Sequence, residues 1–319
     1  MKRITVLIPV FNEGSGMNLL LDRLNSSLSG EKLAKYSFEY LFVNDGSRDE
    51  TYEIIKKAAE SEPADNKRIS YINLSRNFGK ETAMIAGIDN TESDAAVIID
   101  ADLQDPPELI EKMVELWEQG YQDVYAKRIS RKGETFVKKF TSKCYYHVLQ
   151  KSTSIPIQID TGDFRLLDRK CLDALKNIRE TGRNTKALFS WIGYKKKEIV
   201  YERDPRVVGN SKLNYKQLIN LALDGIMSFT IFPLRISFIL GSIVSLISFV
   251  YASLIILKTL IFGSAVPGYA SLMTIILLLG GIQLLSIGIL GEYIGRIFIE
   301  TKQRPLYYIE EAHRAKTAD

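Results

Sequence analysis

An α/β fold built on a largely parallel sheet, followed by a two-helix transmembrane hairpin, is what this sequence predicts. Three observations predict it. Short β-rich runs alternate with helical patterns from Ile4 to Lys127, four of those runs end in polar residues, and the chain later carries two uncharged stretches, Ile236–Leu257 and about Ala270–Gly291. Strands that alternate with helices form a parallel sheet covered on both faces, because each helix returns the chain to the end where the last strand began.

Met1-Lys2-Arg3 followed by Ile4–Val10 resembles the start of a signal peptide. The apolar stretch is too short, and Pro9 and Asn12-Glu13 break it, so it reads as the first strand. Tyr40–Asn44, Ile69–Leu74, Ala95–Asp100 and Asp123–Lys127 read as the next four. Between them, Leu20, Leu24 and Leu28, then Tyr52, Ile55 and Ala59, then Ile110, Met113, Val114 and Trp117 recur at three- and four-residue spacing, the period of a helix with one buried face. The expected organisation is an α/β domain over 1–211, an interfacial helix over 212–232, two membrane helices within 233–295 (about 236–257 and 270–291) and a tail over 296–319.

Composition excludes several function classes. The chain has 319 residues and a formal net charge of +4, a slight basicity that suits an anionic lipid surface and gives no argument for nucleic acid. Cys144 and Cys171 are the only cysteines and His147 and His313 the only histidines, so neither a disulfide framework, nor a histidine-rich metal site, nor a Ser-His-Asp triad is expected.

In an open α/β sheet, ligands bind at the carboxyl ends of the strands. Here those ends read Pro9-Val10-Phe11-Asn12-Glu13, Val43-Asn44-Asp45-Gly46-Ser47, Asn73-Leu74-Ser75-Arg76-Asn77 and Asp100-Ala101-Asp102. Carboxylates two residues apart suit a hard divalent cation that also holds a phosphate, although Asp-x-Asp after a strand is equally common in loops and helix caps. Gly14-Ser15-Gly16 invites a dinucleotide site, but Leu19 stands where the third glycine is needed. Asp45-Gly46-Ser47 also reads as a turn feeding a helix, with Ser47 or Asp49 as its cap.

These strand ends, together with Arg76-Asn77-Phe78-Gly79-Lys80, Asp100–Glu108, Thr161-Gly162-Asp163-Phe164-Arg165-Leu166, Arg206–Lys212, Gly291–Arg296 and Glu300–Pro305, occur in an order that resembles the family 2 glycosyltransferases of the GT-A fold. Within them the sequence is most similar to the polyprenyl-phosphate glycosyltransferases, the group of bactoprenol glucosyltransferase and dolichol-phosphate mannose synthase. The resemblance covers nearly the whole chain. The Gln-x-x-Arg-Trp signature of processive polysaccharide synthases is absent, since neither Trp117 nor Trp191 follows an arginine, which argues for transfer of a single sugar.

The resemblance implies a GT-A doubly wound sheet and a role for each motif. Asp102, aided by Asp100 and with Gln104 as an extra oxygen ligand, would hold Mg²⁺ or Mn²⁺ against the diphosphate of a nucleotide sugar. Pro9, Asn12, Glu13 and Asp45 would lie at the nucleoside, with Asp100 also on the donor side. Arg76 and Lys80 would add positive charge near the phosphates, while Lys80 beside Glu81 reads equally as a solvated helix start. Asp163 would be the catalytic aspartate, although by composition alone, between Asp160 and Asp168, it reads as a helix or turn residue. If the acceptor is a phosphate monoester, its second pKa of about 6 leaves it mostly ionised at neutral pH, so Asp163 would either position it or take its last proton. Arg165 would pair with Asp163 or bind phosphate.

An anionic acceptor needs cations. Arg128 and Arg131 follow the fifth strand, and Arg206 and Lys212 precede the membrane segment, so these four are the acceptor-phosphate candidates. Phe136–Leu149 carries Phe136, Phe140, Cys144 and Val148 on one stripe with Lys138, Lys139 and Lys143 around it, which reads as an interfacial basic helix or as core packing.

Ile236–Leu257 is long enough as a helix to span the roughly 30 Å hydrocarbon core, and Gly263–Gly268 with Pro267 supplies the turn to the second stretch. Lys212, Lys216 and Arg235 precede the pair and Arg296, Lys302 and Arg304 follow it, which by the positive-inside rule puts both termini and the α/β domain in the cytoplasm of a bacterial cell. The expected activity is inverting transfer of one sugar, from UDP-glucose or UDP-N-acetylglucosamine, to undecaprenyl phosphate for cell-envelope glycosylation. Membrane lipids, a second copy of the chain, a flippase and a downstream transferase are the expected partners. Two other readings are a catalytically weak membrane scaffold or lipid-translocation partner, and a nucleotidyltransferase that makes nucleotide sugars, which leaves the membrane spans without a purpose.

Overall fold

A computed structural model describes residues 1–61, 67–128, 161–181, 185–202, 232–262 and 268–315. Phe136–Leu149, the interfacial helix expected over 212–232 apart from its last residue, and most of the Gly263–Gly268 turn lie outside them, as do Arg131, Arg206 and Lys212.

The first half of the chain alternates as its pattern predicts: β1 (Lys2–Val10), α1 (Gly14–Ser27), β2 (Tyr36–Asn44), α2 (Thr51–Glu60), β3 (Lys67–Leu74), α3 (Lys80–Asp89), β4 (Ala95–Ile98), α4 (Leu109–Glu118) and β5 (Asp123–Arg128). After these come β6 (Thr161–Asp168), α5 (Arg169–Lys176), α6 (Thr185–Trp191), β7 (Lys196–Tyr201), the long helices α7 (Phe232–Phe262) and α8 (Tyr269–Thr301), and β8 (Ile309–His313). One eight-stranded sheet runs β7-β5-β6-β4-β1-β2-β3-β8. Its centre, β4-β1-β2-β3, is parallel throughout. β6 then enters antiparallel between β4 and β5, and β8 closes the far edge antiparallel to β3.

Both faces of the centre are covered. Ile4, Val6 and Ile8 of β1 share a core with Leu20 and Leu24 of α1, Ile55 of α2 and Ile110, Met113, Val114 and Trp117 of α4. Full burial of each such aliphatic side chain contributes about 1.5–3 kcal/mol. On the other face, Leu41, Val43, Ile72 and Leu74 meet Ala83 and Ala86 of α3. That helix approaches closely because of Gly87, where an added Cβ would lie 2.3 Å from Leu7 Cδ1.

Two expectations are corrected. Asp163 is neither in a helix nor in a turn but inside β6, whose Phe164 and Leu166 enter the core while Asp163 and Arg165 take the alternate face. Both of these charged residues are buried, so β6 is covered on both faces although its alternating sequence looks like that of a half-buried strand. The stretch read as a tail is not separate either. α8 continues to Thr301, and the residues from Pro305 rejoin the sheet unit through β8.

The described residues of α7 and α8 form the second compact unit. Ile236–Phe262 has a mean hydropathy of 2.3 and Leu278–Thr301 one of 1.5, and both are long and apolar enough to cross a membrane. Phe238, Phe249, Leu260 and Leu284 are each more than 70% exposed. Monomeric water-soluble proteins rarely leave so much contiguous apolar surface uncovered.

Candidate active site

The strand order fixes where a site can form. β2 and β3 lie on one side of β1 and β4 on the other, so the connections leave in opposite directions between β1 and β4, opening a crevice at their carboxyl ends. A cleft of about 320 Å³ lies there, lined among others by Pro9, Glu13, Asp45, Lys80, Asp100 and Asp102. Six residues singled out in the sequence therefore meet at one place. Phe11, Asn77 and Gly79 also line it and carried no separate signal beyond standing in the strand-end motifs.

The rim is assembled from loops that satisfy one another's backbone groups. Asp49 Oδ2 accepts the Gly14 N–H at 3.1 Å and its Oδ1 the Thr51 N–H at 3.1 Å, so one carboxylate serves the first turns of α1 and α2. Gly46 adopts a φ of +67°, and a Cβ there would lie 2.6 Å from the carbonyl carbon of Arg76, so only glycine lets these two turns touch. That contact brings Asp45 onto the start of α3, where it accepts the N–H groups of Phe78 and Gly79 at 2.7 and 2.9 Å. Burial raises the pKa of Asp45 and outweighs these two hydrogen bonds and the charge of Arg76.

Lys80 organises the opposite wall. Its Nζ lies 2.6 Å from Asp100 Oδ1 and 2.6 Å from Asp163 Oδ2. Burial lowers the pKa of this lysine, but the charges of the two aspartates and the hydrogen bonds to them prevail and hold it raised. Burial likewise opposes ionisation of Asp163, and the charges of Lys80, Lys186 and Arg165 with the Lys80 hydrogen bond prevail, so its pKa is lowered. Asp163 Oδ1 is buried without a hydrogen-bond partner among the described residues. Neighbouring Glu81 accepts the Thr185 N–H at 2.9 Å, and its pKa is raised by burial and by the charge of Asp163. Lys186 had no sequence signal.

Asp100 and Asp102 reach the same cleft, and among the described residues no third His, Cys, Asp or Glu joins them into a metal cluster. Two carboxylates suit a Mg²⁺-type ion, which takes its remaining oxygens from water and from a substrate diphosphate. Between Asp102 and Gln104, Leu103 is held at a φ of +59°, a conformation unfavourable for leucine and typical of functional turns.

Four candidates do something other than expected. Arg165 does not open into the cleft. It is completely buried, donates to both oxygens of Asp123 at 3.1 and 3.3 Å, and lies 3.9 Å over the Phe189 ring. Asn12 is not a lining residue; its Oδ1 accepts the Arg48 N–H at 2.8 Å and staples two loops together. Arg76 is exposed, lies 4.0 Å over the Phe78 ring and acts on Asp45 through its charge without lining the cleft itself. Gln104 donates its backbone N–H to Asp102 Oδ1 at 3.2 Å, which steadies that carboxylate from outside the lining. Arg128 lies beside the Asp163 strand: a Cβ on Gly162 would be 3.2 Å from its Nη2, and its Nε donates to Tyr201 Oη at 3.4 Å. Tyr201 in turn donates to buried Asp105.

Comparison with known proteins agrees with this geometry. Residues 5–176 match Glycosyl transferase family 2, and residues 232–297 match the GtrB C-terminal hairpin. An uncharacterized glycosyltransferase of Synechocystis sp. is 49% identical, over 97% of this chain and 95% of its own. The SfII prophage-derived bactoprenol glucosyl transferase of Shigella flexneri is 42% identical over 98% of this chain and 99% of its own. A prophage bactoprenol glucosyl transferase homolog of Escherichia coli is 41% identical over 98% and 100%.

Proposed function

Because the chain belongs to glycosyl transferase family 2, we propose that it transfers one sugar, with inversion, from a UDP-sugar to a polyprenyl phosphate at the cytoplasmic face of a bacterial membrane. UDP-glucose and UDP-N-acetylglucosamine are the donors and undecaprenyl phosphate the acceptor of this reading. The observation that carries it is the Lys80 bridge, which joins a donor-side carboxylate, Asp100, to Asp163 on a different strand. The likeness to bactoprenol glucosyl transferases and the match of residues 232–297 to the GtrB C-terminal hairpin support the lipid.

An acceptor phosphate oxygen would form a bond to the anomeric carbon as the bond from that carbon to the diphosphate oxygen breaks, the electron pair leaving with UDP. Glu13 and Asp45 would hold the nucleoside in the cleft. Mg²⁺ or Mn²⁺ held by Asp100 and Asp102 would supply neutralisation of the departing diphosphate. Asp163, ionised and with one oxygen unpartnered among the described residues, would orient the acceptor or take its remaining proton, and Arg128 would face the incoming phosphate.

β7 precedes the long helices and β8 follows them in one sheet, which supports a chain that leaves the sheet and returns to it on the same side of the membrane. An even number of crossings gives such a return, and the positively charged flanks favour the cytoplasm. Homo-oligomers, a flippase and a downstream transferase remain the partners of this reading.

The test is incubation in membranes with undecaprenyl phosphate and a panel of labelled nucleotide sugars. A labelled glycolipid is expected, and excess chelator or Asp102→Ala should abolish it. Absence of product would favour the scaffold reading, and diphosphate released without glycolipid would favour a nucleotidyltransferase.

A further inference from the structure

Glu310 lies on β8, after both long helices, yet its side chain reaches a strand end beside the cleft. Asn73 Nδ2 donates to Glu310 Oε2 at 3.1 Å across a separation of 237 positions. Asn73 Oδ1 accepts Asn44 Nδ2 at 2.7 Å, and Asn44 Oδ1 accepts the Ser47 N–H at 3.2 Å. Ser47 Oγ then accepts the Asn12 N–H at 3.0 Å. The β3–β8 register shifts at Asn73/Leu74, the kind of irregularity that re-aims a side chain.

We infer that Glu310 is a positioning residue for the donor cleft, acting through Asn73 and Asn44 on the turn that carries Asp45. This rests on the reading of the cleft as a nucleotide-sugar site. An amide side chain offers donors at one end and an acceptor at the other, so either orientation is open to it, whereas an ionised carboxylate only accepts. Glu310 therefore fixes the NH₂ of Asn73 outward, which points its oxygen at Asn44, which in turn points the Asn44 oxygen at the turn. Asn73 is 9% and Asn44 2% exposed, so water cannot readily replace a lost partner. Without the acceptor at 310, both amides are free to turn over and the Ser47 N–H loses its anchor.

The strand itself does not depend on Glu310. Glu311 accepts from Tyr52 at 2.5 Å, from Tyr71 at 2.7 Å and from Lys56 at 3.2 Å, and the Ser75 N–H donates to Tyr308 O at 3.0 Å. A change at Glu310 can therefore be read apart from undocking of β8.

The full-length protein in membranes is compared with Glu310→Ala and Glu310→Gln, the second of which keeps an acceptor oxygen. Glu310→Ala should raise KM for the nucleotide sugar about 3- to 10-fold with kcat nearly unchanged, and Glu310→Gln should restore most of the loss. Backbone hydrogen exchange should accelerate over 44–48 in the alanine variant while 309–313 stays protected. Unchanged exchange and unchanged KM would overturn the inference. So would equal acceleration over 44–48 and 309–313, which would make Glu310 a residue that only holds the strand. If the wild type binds UDP or UDP-glucose not at all, the nucleotide reading of the cleft fails, while exchange over 44–48 still decides the role of Glu310.

Discussion

Lys80, which lines the cleft, meets Asp163, Nζ to Oδ2 at 2.6 Å, and the same nitrogen is 2.6 Å from Asp100 Oδ1. One ammonium thus ties the end of β4 to the middle of β6. Lys80→Met leaves two carboxylates facing each other without their shared cation. Turnover should fall on the order of 10²-fold, the scale of losing one preorganised electrostatic partner. Lys80→Arg should recover only part of it, because a planar guanidinium cannot reproduce a point charge between two carboxylates. Initial rates at saturating donor check this, and a rate within twofold of wild type for Lys80→Met would remove Lys80 from the mechanism.

Asp163→Asn should cut turnover strongly and leave UDP affinity nearly unchanged, since the carboxylate serves the acceptor side of the proposed reaction. Burial opposes ionisation of Asp163, but Lys80, Lys186 and Arg165 prevail and hold its carboxyl below the usual carboxylate range, so it is ionised at neutral pH. A decline in rate between about pH 7 and 5 then belongs to the acceptor, whose second ionisation lies near 6. The same decline should persist in the residual activity of Asp163→Asn. Its disappearance in that variant would identify Asp163 as the titrating group.

Arg165 and Asp123 form a fully buried ion pair. Arg165→Met removes one charge and strands the other, with Lys196 at 3.9 Å the remaining cation to answer it among the described residues. Such half-broken pairs cost about 3–5 kcal/mol, so unfolding should move markedly to lower temperature or denaturant. Nucleotide affinity of the molecules still folded should be unchanged. A variant of wild-type stability that fails to bind UDP would return Arg165 to the cleft.

Glu311 has its pKa lowered from 4.5 to about 2 by hydrogen bonds from Tyr52, Tyr71 and Lys56. A carboxylate with a depressed folded-state pKa contributes stability that is present above its unfolded value and is lost as pH falls through the folded one. Docking of β8 should therefore weaken between about pH 4.5 and 2. Solvent screens this exposed group, so local exchange over 309–313 is the sensitive measurement. Glu311→Gln should show that faster exchange already at pH 7. Protection independent of pH down to 2 would contradict the assignment.

A reporter fused after Asp319 should be cytoplasmic, and one inserted at Gly263–Gly268 should be outside. Both follow from the proposed crossings by α7 and α8, the membership of β7 and β8 in one sheet and the positively charged flanks. A cytoplasmic reporter at Gly263–Gly268 would mean that the helices lie along the membrane rather than across it.

Local pattern made the β1–β5 alternation legible, because each of those strands is an apolar run bounded by polar residues and each helix repeats its apolar positions at the helical period. The strand-end motifs were legible for the same reason, and with them Glu13, Asp45, Lys80, Asp100 and Asp102. β6 was hidden because its buried aspartate and arginine look like surface residues until their partners are known. β8 was hidden because Ile309–His313 carries two glutamates on a short edge strand, and nothing local marks Glu310 or Glu311 as hydrogen-bonded.

The sequence by itself determined the class of fold, the two apolar helices and the list of polar strand ends, since all three follow from periodicity and composition along the chain. Only the tertiary structure decided which of those residues meet. The strand order opened the crevice between β1 and β4, the antiparallel entry of β6 carried Asp163 to Lys80, and burial turned Arg165 inward to Asp123. Those two side-chain pairings join residues 83 and 42 positions apart. Their energy comes from desolvated charges finding partners, which depends on distance in space and leaves no periodic trace in the order of the residues.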